Sequence, residues 1–192
     1  MFVSQPRLFV VLTGLPASGK TTLGRALSDS LHLPFMDKDD VLETLFDALG
    51  AESPDDRARL SRASDAVLES MAVASHGAVL ASFWRRPRLS ITSGTPSEWL
   101  TTLESDAVVE VLCECDPAVA AERFARRQRH PGHFDHRFAE DELRSGFEQL
   151  VNEGPLFGSS PVRVDTSGSV ELSDVTVLVR KAATAQGWRA SG

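Results

Sequence analysis

The sequence has few of the features that mark membrane-bound, secreted or nucleic-acid-binding proteins. No apolar stretch reaches the length needed to cross a bilayer, and the first residues lack the basic region, long apolar segment and cleavage site of a signal peptide. Positive charge is also scarce, because 20 lysine and arginine residues stand against 27 acidic ones, for a net charge of −7. We therefore expect a cytoplasmic protein that binds no membrane and whose main partner is not a nucleic acid.

Cysteine is nearly absent as well. The two cysteines, Cys113 and Cys115, lie two residues apart in an apolar run, so on a strand they share one face and cannot easily form a disulfide. A lone C-x-C also supplies too few ligands for a zinc site. We predict two buried, free thiols.

The 192 residues contain no internal repeat, low-complexity tract or linker, which predicts a single domain over residues 1–192. Short apolar runs alternate with helical patterns, and this alternation is typical of a parallel sheet with right-handed crossovers. We predict a three-layer α/β/α sandwich with a five-stranded parallel sheet. The predicted strands are 8–12, 34–36, 78–83, 108–115 and 162–164, and the predicted helices are 22–31, 41–49, 53–76, 117–128, 139–151 and 170–185.

A phosphate-binding loop, G-x-x-x-x-G-K-[ST], runs from Gly14 to Thr21, between a predicted buried strand and a predicted helix. Its glycines let the backbone come close to a polyphosphate, and the amides at the helix start point toward the anion. We expect Lys20, as a catalytic residue, to contact the β- and γ-phosphates and Thr21 to hold Mg²⁺. The predicted nucleotide-binding residues are Gly14, Leu15, Pro16, Ala17, Ser18, Gly19, Lys20, Thr21 and Thr22.

Further polar groups follow the other predicted strands, at the sheet edge where ligands of open α/β sheets bind. Asp37 and Asp39 follow the second strand. A carboxylate at a helix start is kept ionised by the helix dipole and can accept a hydroxyl proton. The alternative is that Asp39 or Asp40 caps the helix, with Asp40 the preferred cap.

With these motifs the chain resembles the small-molecule kinases of the nucleoside-kinase-like phosphate-loop group. The group includes gluconate kinase, shikimate kinase, chloramphenicol phosphotransferase, zeta toxins and the 5′-kinase domain of polynucleotide kinase. The resemblance implies that ATP is the phosphate donor, that Asp39 accepts the proton of the substrate hydroxyl and that Asp37 is associated with Mg²⁺.

A second resemblance lies at the end of the predicted helix 117–128. Gluconate kinase and its relatives have two arginines four residues apart there, followed by a G-H-F lid, and Arg123, Arg127 and residues 132–134 match this pattern. The resemblance implies that Arg123 binds ATP, that Arg127 is catalytic and that a mobile lid segment spans about 127–137. A solvated arginine face is the alternative. A metal site at His130, His133 and His136 is disfavoured, because a lid that must open is a poor cage.

Residues after the third and fifth strands complete the predicted site. Arg85 and Arg86 are placed to bind an acidic or hydroxyl-rich acceptor, and Trp84 either packs on a sugar ring or belongs to the core. Asp165 falls where relatives place the adenine loop, or else caps a helix. The chain lacks the G-G-G run of shikimate kinase and the G-[FY]-P-R of adenylate kinases, so its motifs leave the acceptor open.

The predicted function is transfer of the γ-phosphate of ATP to a hydroxyl of a metabolite, sugar acid or antibiotic-like molecule, by a monomer or homodimer that uses Mg²⁺. A nucleotide or polynucleotide kinase and a zeta-type toxin kinase, which would need an antitoxin partner, are the enzymatic alternatives. A non-catalytic ATP-binding regulator is the alternative of another class. A regulator needs no hydroxyl-deprotonating base, so Asp39 distinguishes it from a kinase.

Overall fold

The computed structural model describes residues 6–86, 94–134, 140–151, 154–158 and 160–189. Its centre is a sheet of five parallel strands in the order β2-β3-β1-β4-β5. The strands are β1 (Leu8–Gly14), β2 (Phe35–Asp37), β3 (Gly77–Ala81), β4 (Ala107–Glu114) and β5 (Val162–Asp165). The helices are α1 (Lys20–Leu31), α2 (Lys38–Leu49), α3 (Pro54–Ala74), α4 (Pro117–Arg126), α5 (Glu140–Val151) and α6 (Leu172–Ala185), with 3₁₀ helices at Glu98–Thr102 and Pro131–His133.

Strand β1 is buried on both faces, as its continuous apolar run predicts. Side chains alternate between the faces, so Leu8, Val10 and Leu12 pack with α1 and α6, whereas Phe9 and Val11 pack with α3. Helices therefore cover both faces of the sheet, and the predicted three-layer sandwich is confirmed. Among the described residues no helix is long and apolar enough to cross a membrane.

The chain order brings the chemically important segments to one edge. From β1 the chain passes to β2 and β3 on one side, and β4 then pairs with the opposite side of β1. The crevice at such a reversal, beyond the carboxyl ends of the strands, is where open α/β sheets bind ligands. The loop after β1, which carries the phosphate-binding pattern, lies at this reversal.

Several element boundaries differ from the predictions. Helix α2 begins at Lys38, three residues earlier than predicted, because Asp37 caps it by accepting a hydrogen bond from the Asp39 amide at 3.0 Å. The preference for Asp40 as the cap was therefore wrong. Asp40 instead forms an ion pair with Arg25, 2.9 Å apart. Helix α3 begins at Pro54, within one residue of the predicted start at 53, and the Ser53 hydroxyl caps it by accepting from the Asp56 amide.

Both cysteines are buried and free, as predicted. Burial raises the pKa of the Cys113 thiol to about 12. A buried thiol with so high a pKa is protonated at neutral pH and packs as a small apolar side chain.

A buried carboxylate in β4 was not anticipated from the sequence. Glu110 is 3% exposed and accepts hydrogen bonds from the Thr13 hydroxyl at 2.8 Å and from the amides of Leu156 at 2.8 Å and Phe157 at 3.3 Å. These donors satisfy the charge, as buried carboxylates require. Glu110 thus joins the end of β1, just before the phosphate loop, to the segment that covers the sheet at 156–157.

Candidate active site

The phosphate loop, residues 14–21, has the backbone that its glycines were predicted to provide. Gly14 and Gly19 have φ values of 133° and 91°, and a Cβ at Gly14 would lie 2.4 Å from the Cys113 carbonyl oxygen. A Cβ at Gly19 would meet only Thr166, at 3.9 Å, so this glycine faces open space. The hydroxyl of Ser18 is fully buried and has no hydrogen-bond partner within the described part of the chain. An unpaired buried donor beside an open backbone cradle fits a phosphate group.

Lys20, the first residue of α1, folds back over the loop. Its ammonium donates hydrogen bonds to the carbonyl oxygens of Leu15, at 2.6 Å, and Gly14, at 3.1 Å. Burial lowers the pKa of this ammonium, against the raising effect of nearby acidic groups, among them Asp37 and Asp39. An incoming phosphate would add further negative charge beside this partly buried cation.

A single cleft of about 1260 Å³ opens in front of the phosphate loop. The predicted site residues that line it are Pro16, Ala17, Gly19, Lys20, Thr21, Thr22, Asp37, Asp39, Arg85, Arg123 and Arg127. The cleft extends from the loop after β5 to the facing sides of α2 and α3. Its volume exceeds the range typical of a pocket for one small ligand, so it has room for a nucleotide and a second molecule.

Thr21 and Asp37, the predicted Mg²⁺ ligands, are in direct contact. The Thr21 hydroxyl donates to Asp37 Oδ2 at 2.7 Å, while Oδ1 of the same carboxylate caps α2. Burial raises the pKa of Asp37 to about 6, against the lowering effect of the Thr21 hydrogen bond. A hydroxyl and a carboxylate beside a phosphate site are the hard oxygen donors that Mg²⁺ prefers, so the two residues fit this ion.

Asp39 lies in the first turn of α2 and lines the same cleft as the phosphate loop. Its side chain is about half exposed, and Oδ2 forms an ion pair with the guanidinium of Arg129. The partner comes from the segment after α4, 90 residues further along the chain. Asp39 therefore combines access to the cleft with a fixed orientation.

Two arginines of α4 and the arginine that directly follows it take three different positions. Arg123 donates to the carbonyl oxygens of Thr166 at 2.7 Å and Ser167 at 2.8 Å, which fastens α4 to the loop after β5. The Arg127 guanidinium lies 4.0 Å from the centre of the Phe124 ring and lines the cleft. Arg126 is 78% exposed and pairs with Glu122 on the same helix.

The segment 127–134, the described part of the predicted lid, packs against α2. The imidazole of His133 lies 2.9 Å from Glu43, and that of His130 lies 3.2 Å from Asp47. The ring of Phe46 packs against both imidazoles, and a Cβ at Gly132 would lie 2.7 Å from that ring. The remainder of the predicted lid, including His136, lies outside the described residues.

Sequence reasoning missed two rows of polar residues that face this region. Helix α2 carries acidic residues at every fourth position, and α3 carries polar residues with the same spacing on the side that lines the cleft. The first row is Asp39, Glu43 and Asp47, and the second is Arg57, Ser61 and Asp65. Spacing of four residues on a helix was the signal that could have identified both rows.

Of the residues predicted to bind the acceptor, Trp84 lies in the core and Arg85 lines the cleft. The indole of Trp84 is 4% exposed, packs against Trp99 and donates to the carbonyl oxygen of Leu12 at 2.9 Å, so of the two alternatives the core position is the one observed. Arg85 lines the cleft, and its buried Nε has no hydrogen-bond partner among the described residues. Arg86 follows it at the end of the described segment 6–86.

The loop after β5 also borders the cleft, but not through Asp165. The lining residues are Thr166, Gly168, Ser169, Val170 and Leu172. Asp165 is exposed and accepts from the Ser167 amide at 2.9 Å, and hydrogen bonds from Ser167 lower the pKa of this carboxyl. Asp165 thus shapes the turn, and its neighbours supply the surface that faces the cleft.

Comparison with known proteins agrees with this architecture. The solved structure of a protein from Chloroflexus aurantiacus superposes with a TM-score of 0.72 at 23% identity, over 96% of this chain and 100% of that one. Shikimate kinase from Bacteroides thetaiotaomicron superposes with a TM-score of 0.59 at 19% identity, over 91% and 97% of the two chains. Both likenesses concern the fold.

In sequence, the chain is 55% identical to shikimate kinase of Paracidovorax citrulli over 38 residues, which are 20% of this chain and 21% of that protein. The chain thus matches about one fifth of that relative's length. The model of the AAA domain family matches residues 10–144. The chain therefore belongs to the AAA domain family, and its fold is that of the phosphate-loop small-molecule kinases that its motifs resemble.

Proposed function

We propose that this chain is an ATP-dependent kinase that transfers the γ-phosphoryl group to a hydroxyl of a small molecule carrying an anionic group. The observation that carries the proposal is Asp39, a carboxylate that lines the same cleft as the phosphate loop. A protein that only binds ATP needs no proton acceptor in front of its phosphates.

On the donor side, the backbone cradle at Gly19 and the buried Ser18 hydroxyl hold the phosphates. Lys20 exchanges its two carbonyl partners for the β- and γ-phosphate oxygens, and Arg127, which lines the same cleft, adds a second positive charge. Thr21 and Asp37 hold Mg²⁺, which when bound neutralises charge on the phosphates. These groups stabilise the charge that spreads over the transferred group in a loose transition state.

In the transfer step, Asp39 orients the acceptor hydroxyl and accepts its proton. The hydroxyl oxygen forms a bond to the γ-phosphorus while the bond from that phosphorus to the bridging oxygen breaks, and ADP leaves. Because deprotonation comes late in a loose transition state, much of the contribution of Asp39 is the alignment of the hydroxyl.

Three arginines suggest the class of acceptor. Arg57 and Arg62 on α3 and Arg85 after β3 line the same cleft as Asp39. On the same wall, Lys38 is already neutralised by Asp65, 2.7 Å away. Guanidinium groups bind carboxylates and phosphates in a planar, two-pronged geometry, so this wall favours an acceptor with an acidic group, such as a sugar acid.

The test is a screen for acceptor-dependent ADP release with the intact protein, Mg²⁺ and ATP. The panel pairs hydroxy acids and sugar acids with uncharged analogues of the same size, and it includes nucleosides and nucleotide sugars, the acceptors of the alternative kinases. We expect turnover with an anionic acceptor, and a loss of about 10²–10⁴-fold in the Asp39→Asn variant at unchanged ATP affinity. ATP binding without stimulation by any compound, and without any effect of Asp39→Asn on ATP turnover, would instead identify a regulator.

A further inference from the structure

We infer that α3 carries a binding site for a neutral hydroxyl of the acceptor, formed by Ser61 and Asp65 and held in place by Lys38. The inference rests on the proposed function and deepens it, because it makes the acceptor a polyhydroxy acid with at least one hydroxyl besides the one that is phosphorylated. All three residues line the cleft that contains Asp39 and the phosphate loop. We call this cluster the hydroxyl subsite.

The hydroxyl subsite is a compact polar cluster in the wall of the cleft. Ser61 and Asp65 are four residues apart on α3, so they are neighbours on one face of the helix. The ammonium of Lys38 joins them, 3.0 Å from the Ser61 hydroxyl and 2.7 Å from Oδ1 of Asp65. The side chains of Lys38 and Asp65 are only 10% and 16% exposed, so solvent screens their attraction weakly.

The cluster leaves one donor and one acceptor unused. The Ser61 oxygen accepts from Lys38, and its own proton is donated to no residue within the described part of the chain. Neither oxygen of Asp65 accepts a hydrogen bond from a described residue, although Oδ1 lies beside the ammonium. A ligand hydroxyl is both acceptor and donor, so it can accept from Ser61 and donate to Oδ2 of Asp65.

The charge of the subsite favours a hydroxyl over an ionic group. Lys38 and Asp65 carry opposite charges, so together they offer no net charge to a carboxylate or an ammonium group. The acidic group of the acceptor is left to guanidinium groups that line the same cleft, such as those of Arg62 and Arg85. The cleft thus has separate positions for an acid and for a hydroxyl, the two kinds of group that a polyhydroxy acid combines.

Stability alone does not account for an ion pair at this position. Apolar side chains of similar volume commonly stabilise a fold as well as a buried ion pair does, because both charges lose their hydration. The pair does fasten the first turn of α2, which carries Asp39, to α3. A hydroxyl held by Ser61 and Asp65 therefore has a fixed position relative to Asp39, and the subsite orients the acceptor for transfer.

The experiment compares acids that differ only in their hydroxyl content. Aldonic acids of three to six carbons are each paired with the ω-hydroxy acid of the same chain length. Cyclohexanecarboxylic acids with several ring hydroxyls are paired with their single-hydroxyl analogues, and ADP release is measured with Mg²⁺ and ATP. We expect kcat/KM of the wild-type protein to be about 10–100-fold higher for at least one polyhydroxy acid than for its analogue. If no polyhydroxy acid is preferred, the inference is overturned.

Substitutions test whether the subsite causes the preference. Ser61→Ala should lower the ratio of the two kcat/KM values by about 3–10-fold, and Asp65→Asn, which puts an amide group where Oδ2 accepts, by about 10–100-fold. The matched controls are Ser70→Ala and Glu69→Gln, because both residues are exposed on α3 and are not among the residues that line the cleft. Both controls should keep the wild-type ratio.

The ratio separates hydroxyl binding from a structural role. A distorted wall slows transfer to both acids of a pair and leaves their ratio unchanged, so an unchanged ratio in Ser61→Ala and Asp65→Asn overturns the inference. Should Asp65→Asn fail to melt cooperatively because Lys38 is left unpaired, the double variant Lys38→Met with Asp65→Leu removes both charges together. This double variant should lose the preference for the polyhydroxy acid as well.

The wild-type protein distinguishes failure of the subsite from failure of the proposed function. If it phosphorylates both acids of every pair equally well, and Asp39→Asn slows transfer to both, only the subsite is wrong. If no acid of the panel stimulates ADP release, both the subsite and the anionic acceptor of the proposed function are overturned.

Discussion

Replacing Asp37 by asparagine should stabilise the nucleotide-free protein while weakening its response to Mg²⁺ and ATP. The carboxylate is 6% exposed, and burial raises its pKa from 3.8 to about 6. An asparagine keeps both local contacts, since its carbonyl oxygen can cap α2 at the Asp39 amide and its amide group can donate to the Thr21 hydroxyl. The substitution therefore removes a buried charge without removing the hydrogen bonds around it.

The magnitude follows from the shift in pKa. Between pH 3.8 and about 6 the folded protein binds more protons at Asp37 than the unfolded chain does, so stability falls as pH rises through this window. A difference of about two pKa units corresponds to about 3 kcal/mol, fully lost above pH 6. We expect Asp37→Asn to be more stable than wild type by about 1–3 kcal/mol at pH 8 and equally stable below pH 4.

Urea unfolding at pH 4, 6 and 8, without nucleotide and with a metal chelator, measures this difference. The control is Asp40→Asn, because Asp40 is exposed and its ion pair with Arg25 contributes less than about 1 kcal/mol. Addition of Mg²⁺ and a non-hydrolysable ATP analogue should reverse the order at pH 8, since the variant has lost a predicted metal ligand. An Asp37→Asn protein that is no more stable than wild type at pH 8 would refute the reasoning.

Two further substitutions test the site and the fold separately. Lys20→Ala should reduce ATP turnover to less than a few per cent of wild type, because the ammonium charge that faces the phosphates is lost. The melting temperature should change little, because Lys20 contacts only two carbonyl groups of the loop in the nucleotide-free protein. Substantial remaining turnover would contradict a catalytic phosphate loop. Glu110→Ala should destabilise the protein by about 2–4 kcal/mol in urea unfolding, since it leaves three donors without an acceptor. Glu114→Ala, an exposed residue of the same strand, should cost less than about 1 kcal/mol, and equal losses at both positions would refute this account.

The fold and the phosphate loop could be predicted because their determinants are local. The spacing of Gly14, Gly19 and Lys20 specifies one backbone path, and alternation of apolar strands with amphipathic helices specifies a parallel sheet. The carboxyl ends of parallel strands meet at one edge, so residues such as Asp37 and Asp39 could be assigned to the site without knowledge of the packing.

The remaining features depend on contacts between distant parts of the chain. Trp84 and Arg85 both follow the predicted third strand, 78–83. Only the burial of the indole, its packing against Trp99 and its hydrogen bond to the Leu12 carbonyl assign Trp84 to the core. The cap of α2 was assigned to the wrong aspartate because three acidic residues compete within four positions. The acidic row on α2 could be recognised from its spacing, but its partners, such as Arg129, lie about 90 residues away.

The attachment of α4 to the loop after β5 has a consequence for tolerance to mutation. Arg123 donates to main-chain carbonyl oxygens of Thr166 and Ser167 and to neither of their hydroxyls. A contact of a side chain with the main chain constrains the identity of one partner only. The attachment by Arg123 would therefore survive a change of residue type at 166 or 167. What such a change would remove is the hydrogen bond of the Thr166 hydroxyl to the Glu114 carbonyl oxygen at 3.0 Å, or that of the Asp116 amide to the Ser167 hydroxyl at 3.1 Å.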